Sequence, residues 1–203
     1  MSNISCLPLY LFYLVRLRSL HSFHSTFGYP TQWKHLLRYQ HTYTLQPIVC
    51  VTGRYDEQIT SVLAVEQNVT LHYNSHYESG MASSLKAGIR AVSGKVDAVM
   101  IFLGDQPLVP NEVVQTIISQ YRASEETIKI VRPLFGQRLG HPILFDSSLF
   151  DEFETLQGDE GGKSIIQRHQ NNVKLLQFPN SDWGIDIDTE EEYLTLLKRT
   201  EDI

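Results

Sequence analysis

Apolar and polar positions follow two different periods along this chain. From Gln46 onward, short runs that are apolar on both faces alternate with longer stretches in which apolar residues recur every three or four positions. The runs "PIVCVTG", "VTLHYN" and "VDAVMIFLG" predict strands, and "YDEQITSVLAVEQ" and "MASSLKAGIRAVS" between them predict helices. Strands joined by such helices make βαβ crossovers, and therefore a parallel sheet covered by helices. A further helix is expected at "NEVVQTIISQYRAS" after Pro110. Asn111 is its candidate cap, and Val113, Val114, Ile117, Ile118 and Tyr121 form its core stripe.

The pattern then changes. "TIKIVRPLFGQRLGHPILFD" reads as two extended runs joined through Gly136. Helical segments "SLFDEFETLQ" and "GKSIIQRHQ", a strand "VKLLQF" and a closing helix after "GIDIDT" follow. The expected fold class is α/β, a layered sandwich on a mostly parallel mixed sheet with a late antiparallel insertion. No repeat or long linker divides it, so residues 1–203 are expected to form a single domain. The apolar run "ISCLPLYLFYLV" is too short to span a bilayer, and Arg16 and Arg18 follow it rather than precede it, so it reads as a buried first strand.

Composition narrows the function classes. A formal net charge of −6 with no clustered basic stripe argues against nucleic-acid binding. The two cysteines, Cys6 and Cys50, lie far apart and outside any metal-ligand spacing, which makes a disulfide framework improbable and a cytoplasmic location with no membrane partner the expectation.

Candidate chemistry sits where strands end. "DAVMIFLGDQP" finishes on Asp105, and in an open α/β sheet ligands bind beyond the carboxyl ends of strands. Asp186 and Asp188 in "WGIDIDTEEEY" would share one face of a strand, and with Asp105 they could hold one divalent cation. The plain structural readings stay open: a turn at Asp105, and a helix cap at Asp188. Gly80, Ser83 and Ser84 begin a helix whose free N–H groups would favour an anion or a nucleobase edge. "GDEGGKS" lacks the first glycine of a P-loop, since Gln157 stands there, and reads instead as a loop with Asp159 near the N-terminus of the helix that follows.

In order, "GMASSLKAGI", "DAVMIFLGDQPLVP", "GHPILFD", "LQGDEGGKSII" and "DIDTEEEYLTL" resemble the molybdopterin cytidylyltransferase family and its MobA-like nucleotidyltransferase relatives. The resemblance covers roughly residues 46–200 and leaves residues 1–45 divergent. It implies a Rossmann-like three-layer sandwich of the nucleotide-diphospho-sugar transferase type. The implied activity transfers a nucleotide, CMP from CTP being the first expectation and GTP the other donor, to the phosphate of a pterin-type acceptor, releasing pyrophosphate with Mg²⁺ or Mn²⁺. A molybdoenzyme or its chaperone would receive the product.

Carried over residue by residue, the resemblance implies that Asp105, Asp186 and Asp188 hold the metal. Gly80, Ser83, Ser84, Leu85, Gln106 and Pro107 would contact the nucleotide, while Gly140, His141, Pro142 and Asp159 would face the acceptor. Asp105, His141 and Asp159 are the candidate catalytic residues, with His141 read as a positioning residue more than as an acid or base, because an ionised phosphate needs no base. The N-terminus departs from the family pattern. If Phe27 and Gly28 match the family's Phe/Met-Gly pair, Ser22 stands where a loop glycine belongs and Thr31 where a lysine belongs. Two function classes therefore remain: an active nucleotidyltransferase, and a catalytically silent nucleotide-binding homologue. A sugar-nucleotide transferase is a third, disfavoured by "GHP" and "GDEGG".

Overall fold

The computed structural model describes residues 9–14, 45–64, 69–106, 108–124, 127–187, 189, 191–192 and 195. Of the sequence-derived sites, Pro107, Asp188 and the divergent loop with Ser22, Gly28 and Thr31 lie outside the described residues.

Eight strands form one mixed sheet: β1 (Leu9–Leu14), β2 (Leu45–Thr52), β3 (Val69–Tyr73), β4 (Ala98–Leu103), β5 (Ile130–Phe135), β6 (Arg138–Leu139), β7 (Ile143–Asp146) and β8 (Val173–Phe178). Their order is β3-β2-β1-β4-β7-β5-β6, with β8 pairing β5. β3, β2, β1 and β4 run parallel, β7 is antiparallel to both β4 and β5, and β8 is parallel to β5. The apolar run near the N-terminus supplies β1, between β2 and β4. Chain order reverses there, since β2 lies on one side of β1 and β4 on the other, so the β1–β4 boundary is the sheet's switch point, where ligand crevices open.

The helices are α1 (Asp56–Leu63), α2 (Met81–Val92), α3 (Asn111–Arg122), α4 (Phe150–Phe153) and α5 (Lys163–Arg168). Strand alternation sorts the core into two layers. Ile48, Cys50, Met100, Phe102, Val131 and Leu144 meet α1 and α3 on one face. Val49, Val51, Val99, Ile101, Ile143 and Phe145 meet α2, α4 and α5 on the other. The result is the expected three-layer sandwich. Val113, Val114, Ile117 and Ile118 of α3 are all buried, each contributing about 1.5–3 kcal/mol relative to exposure. Burial, with the Asp56 charge second, pushes the Cys50 thiol up to about 12, so it packs as an inert apolar group.

Three local expectations are corrected. The cap of α3 is Pro110, whose fixed φ suits the position, and Asn111 is already helical. The second extended run breaks into β6 and β7, because Gly140-His141-Pro142 leaves the ladder at a cis His141–Pro142 bond. The expected strand through Asp186 is not seen among the described residues: Ile185, Asp186 and Ile187 are irregular, so alternation does not orient Asp186. Among the described residues no helix is long and apolar enough to cross a membrane.

Candidate active site

The carboxyl end of β4 turns sharply: the Gln106 N–H donates to the Leu103 carbonyl at 3.4 Å, which places Asp105 half-buried in a turn at the switch point. The turn expected at Asp105 is therefore present. Eighty residues later the chain returns, and the Ile187 N–H donates to the Asp105 carbonyl at 2.8 Å. Gln106 Nε2 donates to Asp186 Oδ1 at 2.7 Å, joining the two acidic motifs through a side chain that is 8% exposed. Arg138 lies 4.0 Å from the other Asp186 oxygen, a solvated and weak pair.

Aromatic packing delivers Asp186 to this corner. Phe135 is fully buried, with its ring centroid 5.8 Å from Phe178 and 6.3 Å, edge-on, from Trp183. Its ring lies against Gly184 and Gly140: an added Cβ would sit 2.6 Å from a ring carbon at the first and 2.5 Å at the second. Both glycines are there because the ring leaves no room for a side chain. Beyond the segment, Thr189 and Glu192 exchange capping bonds, Thr189 N–H to Glu192 at 2.9 Å and Glu192 N–H to Thr189 Oγ1 at 3.2 Å.

The start of α2 differs from the expectation of free N–H groups. Met81 N–H donates to Asp159 Oδ1 at 3.1 Å, Ala82 N–H to the Gly158 carbonyl at 2.9 Å, and Ser83 N–H to the Gly80 carbonyl at 3.2 Å. Asp159 thus caps α2, 78 residues away in sequence, rather than the helix that follows it. The serines are engaged as well. Asn74, 6% exposed, donates to Ser83 Oγ at 2.8 Å and Ser84 Oγ at 2.9 Å and accepts from the His76 N–H at 3.0 Å. Asn74→Ala is expected to cost about 1–2 kcal/mol in urea unfolding, because it removes three hydrogen bonds of a buried side chain, whereas Ser84→Ala, which removes one of them, should cost under about 1 kcal/mol.

A cavity of about 330 Å³ opens beside this junction, lined by Met81 and Leu85 of α2, Leu103 of β4, Phe145 of β7, and the polar groups Arg132, His141, Asp159, Glu160 and Lys163. Desolvation, with the Arg132 charge second, pushes the His141 imidazole down to about 3. It is neutral throughout the physiological range. The unfolded chain binds this proton from about 6.5 downward while the folded chain does not, so stability falls as pH drops from about 6.5 towards 3. His141→Gln should flatten that part of the stability profile, as urea titrations at pH 7, 5 and 4 would measure, and leave the neutral-pH rate profile unshifted.

These motifs and this fold have known counterparts, and residues 25–173 match the family model of the MobA-like NTP transferase domain. The chain belongs to this family. Among curated proteins it is 29% identical over 126 residues to the purine catabolism protein PucB of Bacillus subtilis, covering 61% of this chain and 59% of PucB. The chain thus spans about three fifths of that relative's length. It is 24% identical over 157 residues to the molybdenum cofactor cytidylyltransferase of Escherichia coli, covering 77% of each. Among solved structures, Rv0371c of Mycobacterium tuberculosis superposes with a TM-score of 0.74 at 19% identity, covering 95% of this chain and 98% of that one. Rv0371c has also been solved as a complex with manganese.

On this MobA-like scaffold the structure brings Asp105, Gln106 and Asp186 together at the switch point. Gly80, Ser83, Ser84 and Leu85 gather with Asp159 at the start of α2, and His141 lies on the cavity beside them. Among the described residues no cluster of three or more His, Cys, Asp or Glu side chains gathers around one point. The Asp105–Asp186 corner still suits a hard divalent cation, which takes oxygen ligands and often only one or two carboxylates. Gln106 Oε1, buried and without a hydrogen-bond partner among the described residues, adds a further oxygen there. Sequence reasoning missed Arg132, whose one signal was a cation inside the apolar run "IVRPLF".

Proposed function

We propose that this MobA-like chain transfers CMP from CTP, or GMP from GTP, to the phosphate of a molybdopterin-type acceptor and releases pyrophosphate. The observation that carries this reading is the Gln106 bridge from the Asp105 turn to Asp186, which assembles an oxygen-rich corner at the sheet's switch point. Asp105 and Asp186, with Asp188, are the residues that would hold Mg²⁺ or Mn²⁺. When bound, the ion supplies neutralisation of phosphate charge. An acceptor phosphate oxygen forms a bond to the α-phosphorus while the bond from that phosphorus to the β-bridging oxygen breaks, and pyrophosphate leaves with the electron pair.

This chain's own residues position the reactants. Gln106 holds Asp186 in place, and Gly80, Ser83, Ser84 and Leu85 present the nucleotide-facing edge of α2. Neutral His141, held between the buried Gly140 and Pro142, lines the acceptor cavity. No side chain needs to remove a proton, because the attacking phosphate is already ionised, so the work is positioning and charge placement. On the same reading residues 1–203 act as one domain in the cytoplasm and hand the product to a molybdoenzyme or its chaperone.

Isothermal titration of CTP and of GTP, each with and without Mg²⁺, tests the reading. Metal-dependent binding of one of them, followed by pyrophosphate release with a pterin acceptor, is the expected result. Binding without pyrophosphate release would make the chain the silent homologue that Ser22 and Thr31 suggest, and no binding of either nucleotide would overturn both.

A further inference from the structure

Alternation along β5 places Ile130 and Arg132 on the sheet face that also carries Ile101, Ile143 and Phe145, and Ile130 is fully buried in that layer. Two residues further on, where the pattern calls for another apolar side chain, stands a guanidinium. It is partly buried and lines the 330 Å³ cavity, whose walls carry the apolar Leu85, Leu103, Leu139 and Ile166 beside the polar His141, Asp159, Glu160 and Lys163. Its Nε donates to the Gly140 carbonyl at 3.2 Å, and among the described residues it has no carboxylate partner. Of the acids on the same cavity, Asp159 accepts from the Met81 N–H and Glu160 from the Gln157 N–H. Burial draws the Arg132 pKa below its ordinary value, as expected of a desolvated cation without a counter-ion.

A desolvated, unpaired guanidinium is costly, and an anion with two oxygens relieves that cost through paired N–H donors in fixed geometry. We propose that Arg132 is the specificity-determining residue of the acceptor cavity, holding a carboxylate or phosphate of a ligand whose ring body lies against the apolar walls. This rests on reading the cavity as the acceptor site. The wall reaches Leu103, the last residue of β4 and two residues before Asp105 in its turn, so a ligand anchored at Arg132 extends towards the acidic corner. Lys163, exposed and lining the same cavity, adds a second positive charge.

The test titrates pterin-6-carboxylate, 6-hydroxymethylpterin monophosphate and neutral 6-hydroxymethylpterin into the full chain, following pterin fluorescence, with Arg132→Gln and Arg132→Lys alongside. At least one anionic pterin is expected to bind about tenfold more tightly than the neutral one, the glutamine variant to reduce that ratio below about twofold, and the lysine variant to keep part of it. Comparing the two anions decides between carboxylate and phosphate. Thermal melting of Arg132→Gln should stay within a few degrees of the parent, since what is removed is a partly buried charge with one hydrogen bond, to the Gly140 carbonyl. An anionic preference that survives in Arg132→Gln, or a parent chain that binds all three pterins equally or none of them, overturns the proposal. Nucleotide titrations on the same samples keep the two readings apart: an Arg132-dependent preference without CTP or GTP binding sinks the transferase reading and leaves the anion site standing.

Discussion

Replacing Asp105 with asparagine is expected to lower nucleotidyl transfer by about 10³-fold and to abolish the Mg²⁺ dependence of nucleotide binding, while the melting temperature changes little. The substitution keeps the shape of the side chain. The turn itself survives, because the Gln106 N–H to Leu103 and Ile187 N–H to Asp105 bonds are main-chain bonds that do not involve the carboxylate. What disappears is one of the two negative charges beside Gln106, and several kcal/mol of charge stabilisation disappear with it. Asp186→Asn should have a smaller effect of the same sign, since Gln106 still donates to the amide oxygen. Unchanged Mg²⁺ dependence in Asp105→Asn, measured by titration calorimetry, would exclude the metal role.

Gly80→Ala is the second large effect, and it acts on structure. Gly80 has φ 107° and ψ 175°, a region essentially confined to glycine. Its missing side chain also makes room for the loop that caps α2: an added Cβ would lie 2.3 Å from the Gly158 carbonyl carbon and 2.9 Å from the Asp159 nitrogen. These are backbone atoms and cannot rotate away. Strain and clash together should cost about 3 kcal/mol or more, a fall of roughly 6–12 °C in melting temperature for a chain of this size. Gly94→Ala is the control, because Gly94 shares the positive φ (74°) but meets nothing within 4 Å, and it should cost only about 1 kcal/mol. Equal losses in the two variants would show that conformation alone matters and that the contact with Gly158 does not.

The parts of this protein legible in its sequence are those built by local periodicity. β4 and its terminal Asp105 announced themselves through an apolar run stopped by a carboxylate, and α2 and α3 through their three-and-four spacing. The illegible parts depend on partners distant in the chain. Nothing near Met81 signals that its N–H is taken by Asp159, and nothing near Asp186 signals that Phe135 and Gly184 set its position. Arg132 was overlooked for a related reason. A strand apolar on both faces absorbs one polar residue without changing the pattern, and only the cavity beside it shows that the charge lines an open space.

The bond from Ile187 to Asp105 also bears on the order of events during synthesis. Strands β1 to β4 and the turn that carries Asp105 leave the ribosome long before residue 187, and domains begin to fold from the N-terminal side as they emerge. The acidic corner is therefore completed last, by a strap that closes a loop of some eighty residues. A stalled or truncated chain ending at α5 would keep strands β1 to β4 and lack β8 and Asp186. Nucleotide binding would in this way distinguish finished molecules from unfinished ones.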